Sequence, residues 1–333
     1  MTHCPESTTP TLTSRHVSLQ DVIGLLEGAT SATVLCHVQP DADTIGSGLA
    51  LGIVLERKGI PVQVSFATPD RLPVSMSGLP GRHLLVPAED VAESVDLLVT
   101  VDCGSAGRLG ALASRLGGAR RSLVIDHHRS NTRYGMFDLI DDSAEATTAV
   151  LARLFDLWNV EIDADLAHCL YAGLVTDTGS FRWVQPGTHT LAERLLGTGI
   201  DGAAIARTLL DTHPFGWLPM LGAVLSSAVL VPEAAQGRGL VHAAIRCTDS
   251  AGLGSEEVES VVDIVRTTSE AEVAAVFKES APGSWSVSLR SKETVDVAAV
   301  AERLGGGGHR FAAGYTVSGP VESAICALRE TLG

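Results

Sequence analysis

Aspartate and histidine residues occur together in four short segments whose composition suits metal chemistry. The segments are His37-Val-Gln-Pro-Asp41-Ala-Asp43, Val101-Asp102-Cys103-Gly104, Ile125-Asp126-His127-His128 and Thr176-Asp177-Thr178-Gly179. Each alone is a weak signal, because a single aspartate at the end of a strand is usually a helix cap or a turn residue. If the four segments meet, their carboxylates repel one another strongly unless they take up protons or bind cations. The combination therefore predicts a metal site.

The types of candidate ligand indicate which ions and which reaction the site supports. Carboxylates mixed with imidazoles, with no thiolate, suit Mn²⁺ or Mg²⁺ better than a structural Zn²⁺. Six or more ligands exceed what one open catalytic ion needs, so two ions that share a bridging carboxylate fit the set better. Pairs of this kind catalyse in-line displacement at phosphorus. We therefore predict two Mn²⁺ ions, with Mg²⁺ or Co²⁺ as alternatives, in an enzyme that hydrolyses phosphoesters.

A second group of candidate binding residues lies near the C-terminus. Four glycines, Gly305–Gly308, precede His309 and Arg310, and their unhindered backbone N–H groups could form an anion-binding nest. Upstream, Arg290 and Lys292 stand at the end of a predicted strand. A flexible linker is the alternative interpretation of the glycine run.

Continuous apolar segments that alternate with helical ones explain how the four acidic segments can meet. Strands are predicted at residues 32–38, 61–67, 95–102 and 122–126, with helices at 44–58 and 106–116. Ser18 and Asp21 resemble a capping box that opens a further helix before the first strand. The alternation is typical of a parallel α/β sheet covered on both faces, whose ligands bind beyond the carboxyl ends of the strands. Three of the four segments follow such strand ends, and the fourth lies in a turn, 176–181, within a helical region.

The pattern of elements changes in the last third of the chain. Strands are predicted at 228–231, 239–247, 272–278 and 285–290, with helices at 295–304 and 321–332. This order predicts a second, smaller α+β domain. We place the domain limits as follows: a disordered tail at 1–16, the metal-binding domain at 17–196, a helical linker at 197–216 and the second domain at 217–333.

Length, charge and cysteine content exclude several classes of protein. The 333 residues suggest two domains, and 24 basic against 39 acidic residues give a net charge of −15. A body that acidic repels long duplex nucleic acid, although a small phosphorylated ligand stays possible. The six cysteines are scattered without a C-x-x-C pair, which favours reduced thiols in the cytoplasm. With no signal peptide and no apolar run long enough to cross a membrane, we expect a soluble protein without a membrane partner.

The same motifs resemble a known family. HVQPDADT, VDCG, DHHRSN and TDTGSF are similar to the four motifs of the DHH phosphoesterases, and GGGGHRFAAG is similar to the signature of the DHHA1 domain. The resemblance covers residues 17–330 and is strongest to the compact subfamily of oligoribonucleases (nano-RNases) and 3′-phosphoadenosine-5′-phosphate phosphatases. Some actinobacterial members are described as cleaving cyclic or linear diadenylates. The resemblance implies hydrolysis of short RNA or of dinucleotides such as pApA, with cyclic di-AMP and 3′-phosphoadenosine 5′-phosphate as further candidates.

The resemblance also implies a role for each motif residue. One ion would be held by His37, Asp41 and Asp102, and the other by Asp43, Asp102, His127 and Asp177. His128 would face the scissile phosphate, and Asp126 would orient the two histidines. The substrate-binding residues would be Asn131, Arg290, Gly306, Gly307, Gly308 and His309. For Trp183, in FRWVQP, stacking on the substrate and simple packing are both open.

Two other functions compete with this interpretation. A nucleotide-sensing protein without catalysis would need no pair of metal ions, so the complete ligand set disfavours it. An inorganic pyrophosphatase or polyphosphatase would share the first domain, but Arg290 and the Gly305–His309 run suit a nucleoside better than pyrophosphate. No motif separates the candidate adenosine substrates. A homodimer is the default expectation for the oligomeric state.

Overall fold

The chain folds into two compact units of α/β architecture. The structure, a computed structural model, describes residues 14–333. The first unit comprises the described residues up to Leu72 together with Ser77–His127 and Asn131–Ala206. The second comprises Pro73–Met76, His128–Ser130 and Arg207–Gly333. The predicted fold class is confirmed, whereas the predicted limits of the linker, 197–216, stay a prediction.

A six-stranded parallel sheet forms the centre of the first unit. Its strands are β1 (Arg15–His16), β2 (Ala32–Leu35), β3 (Val62–Ser65), β4 (Val95–Val101), β5 (Ala119–Asp126) and β6 (Phe137–Ile140). Their order is β1-β6-β5-β4-β2-β3, and every neighbouring pair is parallel. β2 is buried throughout and β4 and β5 are mostly buried, as expected for strands covered on both faces.

The N-terminal segment of the chain differs from the predicted disordered tail at 1–16. Most of the predicted tail, residues 1–13, lies outside the described residues. Arg15 and His16, however, form β1 and pair in parallel with Phe137 and Asp138 of β6. The Ser14 hydroxyl also donates to Asp138, at 2.6 Å. Arg15 and His16 are polar and carry no apolar pattern, so this strand was not predicted, and its partner β6 was not predicted either.

Six helices and four 3₁₀ segments lie between residues 19 and 210. The helices are α1 (Leu19–Glu27), α2 (Ala42–Arg57), α3 (Thr147–Leu157), α4 (Ala164–Asp177), α5 (Thr188–Leu196) and α6 (Gly202–Leu210), and the 3₁₀ segments are Val74–Met76, Arg82–Leu84, Ala88–Asp90 and Ala106–Gly118. Of these, Val74–Met76 and the last residues of α6, from Arg207, belong to the second unit. The capping box predicted at Ser18 and Asp21 is present at the start of α1. The predicted helix at 106–116 is a 3₁₀ segment, interrupted at Gly110, whose φ is 58°.

Two glycines allow α2 and α4 to approach each other closely. A Cβ atom on Gly46 of α2 would lie 2.4 Å from the Cys169 carbonyl oxygen of α4. A Cβ atom on Gly173 of α4 would lie 2.3 Å from Oδ1 of Asp43 in α2. A side chain at Gly46 would meet the backbone of α4, and one at Gly173 would displace the Asp43 carboxylate, so the close approach and the position of Asp43 both depend on glycine.

The second unit contains a mixed six-stranded sheet. Its elements are α7 (Trp217–Ser226), β7 (Val229–Val231), α8 (Ala234–Gly237), β8 (Leu240–Ile245), α9 (Ser255–Val265), β9 (Val273–Ala281), β10 (Ser284–Ser291), α10 (Val297–Arg303), β11 (Gly307–His309), β12 (Ala312–Ser318) and α11 (Val321–Leu332). The strand order is β11-β12-β10-β9-β8-β7, antiparallel except for β8 with β9. Separate apolar cores cover the two faces of the sheet, one under α10 and α11 and the other under α7 and α9. The elements α7, α8, α9, β11 and β12 were not predicted.

The sequence also predicts the absence of membrane-spanning segments and of disulfides. Within residues 14–333, no helix is both long and apolar enough to cross a membrane. Among the same residues, Cys36, Cys103, Cys169, Cys247 and Cys326 are free thiols. Cys4 lies outside the described residues.

Candidate metal centre

The order of the strands explains why the acidic segments meet. β4 lies between β2 and β5, and all three run in the same direction. Their carboxyl ends therefore share one edge, with Asp102 after β4, His37 after β2 and His127 after β5. A side chain in the middle position can reach both neighbours. That position belongs to Asp102.

Asp102 faces an imidazole with each of its carboxylate oxygens. Oδ2 lies 3.6 Å from Nε2 of His37, and Oδ1 lies 3.4 Å from Nε2 of His127. Oδ1 also accepts a hydrogen bond from the Thr147 hydroxyl, at 3.0 Å. The residue is buried and adopts a left-handed backbone conformation, with φ of 54°, which aspartate tolerates better than most residues. A carboxylate in this position could be shared between two ions.

The first cluster consists of His37, Asp41 and Asp102, which present ligand atoms within 4.8 Å of one another. Nδ1 of His37 lies 2.8 Å from the Val38 carbonyl, and Nε2 faces the carboxylates. Asp41 divides its two oxygens between two tasks. Oδ1 accepts from the amides of Asp43 and Thr44 as the N-cap of α2, while Oδ2 lies 3.4 Å from Nε2 of His37. Helix capping and metal binding are therefore compatible at this aspartate.

The second cluster is centred on His127. Its Nδ1 lies 3.1 Å from the Ala144 carbonyl, so Nε2 is again the nitrogen that faces the carboxylates. Nε2 lies 3.2 Å from Asp177, 3.4 Å from Asp102 and 3.8 Å from Asp43. Asp177 is the last residue of α4. In the sequence it lies about 50 residues after Asp126 and His127 and more than 70 residues after Asp43 and Asp102. All six predicted metal ligands thus converge on one edge of the sheet.

The N-terminus of α3 holds Asp43, a contact that the sequence did not reveal. The amides of Thr147 and Thr148 donate to the Asp43 carboxylate at 2.6 and 3.0 Å, and the Thr148 hydroxyl donates at 2.7 Å. A carboxylate at a helix N-terminus gains from the unpaired amides and from the helix dipole. The only signal in the sequence is a pair of threonines before an apolar run. Their partner, more than 100 residues away, cannot be read from it.

Burial and neighbouring charges shift the pKa values of the cluster. Burial raises the pKa of Asp43 well above its usual range, and the charges of Asp102 and Asp177 raise it further. Burial opposes the charged form of His127, but hydrogen bonds with Asp102 and Asp177 outweigh this and raise its pKa well above the usual value. Without metal, the acidic groups are therefore stabilised by protons on these residues. Divalent cations would take the place of those protons.

His37 shows the same balance between burial and neighbouring carboxylates. Burial and the Arg108 guanidinium work to lower the pKa of His37, yet Asp41 and Asp102 raise it to about 9. Arg108 was not singled out from the sequence. It is exposed on the 3₁₀ segment after β4, and its guanidinium lies 2.9 Å from Nδ1 of His37. Its position shortly after the VDCG motif is the feature of the sequence that could have identified it.

The donor set fits two divalent ions. Two overlapping groups, His37–Asp41–Asp102 and Asp43–Asp102–His127, each bring three ligand atoms within 4.8 Å, and Asp102 belongs to both. Carboxylate oxygens with imidazole nitrogens are ligands that Mn²⁺ and Mg²⁺ accept. The roles of the individual residues as ligands are proposals.

Asp126 and Asn131 stabilise the loop that carries the histidines. The fully buried Asp126 accepts from the His127 amide at 2.8 Å and from Nδ2 of Asn131 at 2.5 Å. Nδ2 of Asn131 also donates to the Cys103 carbonyl at 3.1 Å, and its Oδ1 accepts from the Arg133 amide at 2.7 Å. Both N–H groups of Asn131 are thus used within the protein. The contact of Asn131 with substrate stays a prediction.

The remaining predicted residues belong to the second unit. His128 directly follows His127 in the chain but groups with this unit, and Arg290 lies near the end of β10 with a partly exposed side chain. Nε of Arg290 lies 4.0 Å from Oδ1 of Asp263 in α9. His309 ends the short strand β11 and is half-buried.

The glycine run ends a helix and begins a strand, while its predicted role as an anion-binding nest stays a prediction. The amides of Gly305 and Gly306 donate to the carbonyls of Glu302 and Ala301, at 3.1 and 2.8 Å. This is the Schellman pattern that ends α10, and Gly305 has the left-handed φ of 84° that it requires. Gly307 and Gly308 then pair with β12. Two of the four amides therefore serve the helix end, and the flexible-linker alternative is excluded.

Comparison with known proteins identifies both domains. The family model described as "DHH family, N-terminal domain" matches residues 31–174, and the model described as "DHHA1 domain" matches residues 237–332. The chain is 31% identical over 314 residues to a Thermus thermophilus protein named bifunctional oligoribonuclease and PAP phosphatase NrnA, covering 90% of this chain and 89% of that protein. A Streptococcus mutans protein named probable bifunctional oligoribonuclease and PAP phosphatase NrnA is 27% identical over 286 residues, covering 84% and 86%.

A solved structure shares the fold. The crystal structure of an exopolyphosphatase-related protein from Bacteroides fragilis matches with a TM-score of 0.82 and 22% identity, covering 94% of this chain and 95% of that one. At this identity the likeness concerns architecture alone.

The fold and the site together define a hydrolase of the phosphoesterase class, with clusters of aspartate and histidine able to bind divalent metal. The chain belongs to the DHH family, with a DHH domain followed by a DHHA1 domain.

Proposed function

We propose that this protein is a two-metal phosphodiesterase that hydrolyses short oligoribonucleotides and dinucleotides such as pApA to mononucleotides. The proposed activity includes the conversion of 3′-phosphoadenosine 5′-phosphate to AMP, and cyclic di-AMP is a further candidate substrate. The observation that carries the proposal is the position of Asp102, whose two oxygens face imidazoles of two separate ligand clusters. A shared carboxylate is the feature that distinguishes a two-ion site from two unrelated ones.

The residues around this carboxylate have distinct proposed tasks. Two Mn²⁺ ions, when bound, would supply Lewis-acid activation of water and neutralise charge on the phosphoryl oxygens. His37, Asp41 and Asp102 would hold one ion, and the set Asp43, Asp102, His127 and Asp177 would hold the other. His128 would donate a hydrogen bond to the scissile phosphate and, when protonated, pass its proton to the leaving oxygen. Asp126 keeps the loop of both histidines in place through the His127 amide.

Several observations favour a short nucleotide as substrate. Two relatives that align over most of this chain are named as oligoribonuclease and PAP phosphatase, and the DHHA1 domain is present here too. The net charge of −15 disfavours a long polyanion, whereas a dinucleotide needs only a few local cations. Arg290 of the second unit is our candidate for the phosphate distant from the metals, with His309 beside the glycine run as a further contact. Inorganic pyrophosphate offers no nucleoside for these residues.

A turnover panel tests the function directly. Purified protein with Mn²⁺ is incubated with a short RNA, pApA, cyclic di-AMP, 3′-phosphoadenosine 5′-phosphate and inorganic pyrophosphate, and the products are separated by chromatography. We expect mononucleotide from the short RNA and from pApA. Release of phosphate from pyrophosphate alone would replace this proposal with a pyrophosphatase. Binding of nucleotides without any turnover would indicate a sensing protein.

Removal of metal is expected to abolish the activity. A chelator withdraws the cations that compensate the four clustered aspartates, so hydrolysis should fall to background. Mn²⁺ should restore it better than Ca²⁺, because the larger and more flexible coordination of Ca²⁺ suits in-line displacement poorly. Rates before chelation, after chelation and after each addition are compared. Full activity in the presence of excess chelator would contradict the metal assignment.

Substitution of Arg290 separates substrate binding from chemistry. Arg290→Ala should reduce kcat/KM for a dinucleotide about 10- to 100-fold, since a hydrogen bond from a charged group contributes about 1.5–3 kcal/mol. Hydrolysis of bis-p-nitrophenyl phosphate, which lacks the distant phosphate, should change little. Arg238→Ala, at an exposed arginine of the same unit, is the matched control and should leave both rates unchanged. Equal losses on both substrates would show that Arg290 acts on the fold and not on the substrate.

A further inference from the structure

The turn that follows Asp177 has an unusual backbone. Gly179, Ser180 and Phe181 are all left-handed, with φ of 56°, 59° and 63°. For residues other than glycine this conformation costs about 1–2 kcal/mol each. Strain of this kind persists only where the surrounding structure enforces it, and it is concentrated at functional sites. The turn directly adjoins a candidate metal ligand.

Thr178 enforces this backbone. Its side chain is fully buried, and its hydroxyl accepts from the Phe181 amide at 3.0 Å. Its carbonyl accepts from the amides of Arg182 and Trp183, at 2.8 and 3.0 Å. The Phe181 ring packs near Tyr171 and His189, with centroid distances of 6.1 and 5.7 Å. The chain is thus folded back onto the end of α4.

As a result, the indole ring of Trp183 lies against Gly179, two residues after Asp177. A Cβ atom on Gly179 would lie 2.2 Å from Cζ3 of Trp183, so the ring occupies the space that any other residue at 179 would need. The Cα atoms of Asp177 and Gly179 are at most about 7.6 Å apart, since consecutive Cα atoms are 3.80 Å apart. Trp183 is nevertheless 43% exposed.

A cation accompanies the indole. The Arg182 guanidinium carbon lies 5.7 Å from the centroid of the Trp183 ring. Nε of Arg182 donates to the Gly179 carbonyl at 2.5 Å, which fixes the guanidinium beside the turn. An aromatic ring with a cation at its side is the combination that binds a nucleobase together with its phosphate. Both groups belong to the same unit as the metal ligand Asp177.

We propose that Trp183 is a substrate-binding residue that stacks on a nucleobase of the substrate, with Arg182 beside it. This inference rests on the proposed function, because it assigns the base of a nucleotide whose phosphate lies at the metal centre. Stacking of a base on an aromatic side chain contributes about 1–3 kcal/mol and tolerates every base. The strained turn is then the structural cost of presenting the ring next to Asp177. Selectivity for nucleotides over esters without a base follows from it.

Kinetics on matched substrates test the stacking. Trp183→Ala should raise KM for a dinucleotide about 5- to 100-fold, with little change in kcat, because 1–3 kcal/mol of stacking is lost. KM for the corresponding dinucleotide in which hydrogen replaces both bases should stay within twofold of the wild type. Trp183→Phe, which keeps an aromatic ring, should recover most of the affinity. Val184→Ala, which shortens an exposed apolar side chain on the same turn, is the control and should change neither KM.

Fluorescence gives a readout that does not depend on turnover. The difference between the emission of the wild type and that of Trp183→Phe isolates the signal of this indole from the other three tryptophans. AMP should quench that difference signal, and ribose 5-phosphate, which has no base, should not. This measurement remains informative if the wild type hydrolyses none of the dinucleotides, in which case the proposed function fails on its own.

Three results would overturn the inference. Trp183→Ala could raise KM equally for the substrate with bases and for the one without, which would show a loss of structure and not of stacking. Alternatively, KM could stay unchanged while the melting temperature falls, in which case Trp183 only packs against Gly179. A lack of quenching by AMP at saturating concentration would lead to the same conclusion.

Discussion

Replacing Asp102 with asparagine is expected to reduce hydrolysis by at least about 10³-fold, since metal ions contribute several kcal/mol of transition-state stabilisation and 1.36 kcal/mol corresponds to tenfold in rate. Asp102 is the one aspartate in both three-residue clusters, so losing its charge weakens both ion sites at once. The effect should exceed that of Asp41→Asn. Asp41 belongs to a single cluster, and its side chain is half exposed.

The substitution is chosen so that the fold is retained. Position 102 has a left-handed φ of 54°, a conformation that asparagine adopts about as readily as aspartate. The amide oxygen of asparagine can also keep the hydrogen bond from the Thr147 hydroxyl. We therefore expect an unchanged far-ultraviolet circular dichroism spectrum together with a loss of bound metal, measured by elemental analysis. Asp41→Asn should retain one ion per chain. An Asp102→Asn protein that turns over at a rate near the wild type would refute the shared carboxylate.

The arrangement of the metal centre could be predicted because it depends on strand ends. Apolar strands separated by helices imply a parallel sheet, and the residues after its strands meet at one edge whatever their separation in sequence. The proximity of His37, Asp102 and His127 could be predicted from this rule alone. The strand order, which places β4 between β2 and β5, was not predicted. It is this order that gives Asp102 its central position.

Contacts that join distant segments through the backbone could not be predicted. Asp43 is held by the amides of Thr147 and Thr148, and an amide donor leaves no mark in the sequence. The strand β1 was missed for a related reason, since Arg15 and His16 gain their structure from pairing with β6. In both cases the stabilising partner is another part of the main chain. Side-chain patterns do not report such partners.

The glycine run shows that one motif can satisfy two physical demands. Exposed amides suggested an anion-binding nest, yet the same glycines allow the left-handed residue that terminates α10. A helix end requires its carbonyls to be paired, and Gly305 and Gly306 provide the donors. Asn131 is similar, because a polar residue within a catalytic motif is here used to fix Asp126. Local hydrogen-bonding needs thus compete with ligand binding for the same groups.

Substitutions of the two adjacent histidines, His127 and His128, are expected to have different effects on metal content and on kcat. His127→Ala removes a nitrogen that lies within 4 Å of three carboxylates, so it should lower the metal content of the protein. His128→Ala should keep the metal content of the wild type and reduce kcat by about 10²- to 10⁴-fold, the range for removal of a general acid or base. Both variants lose an imidazole, which makes each the matched control of the other. Elemental analysis and steady-state kinetics are measured on the same preparations.

The proposed role of His128 also predicts how kcat and KM change when this residue is replaced. A group that stabilises the transition state and contributes little to substrate binding changes kcat and kcat/KM by the same factor and leaves KM almost unchanged. The loss should also be smaller for a substrate with a good leaving group, such as a p-nitrophenyl ester, because its departing oxygen needs no proton. If His128→Ala instead released metal while His127→Ala retained it, the assignment of the two imidazoles would be reversed. Equal loss on both kinds of substrate would remove His128 from proton transfer and leave it only a role in stabilising the phosphoryl oxygens.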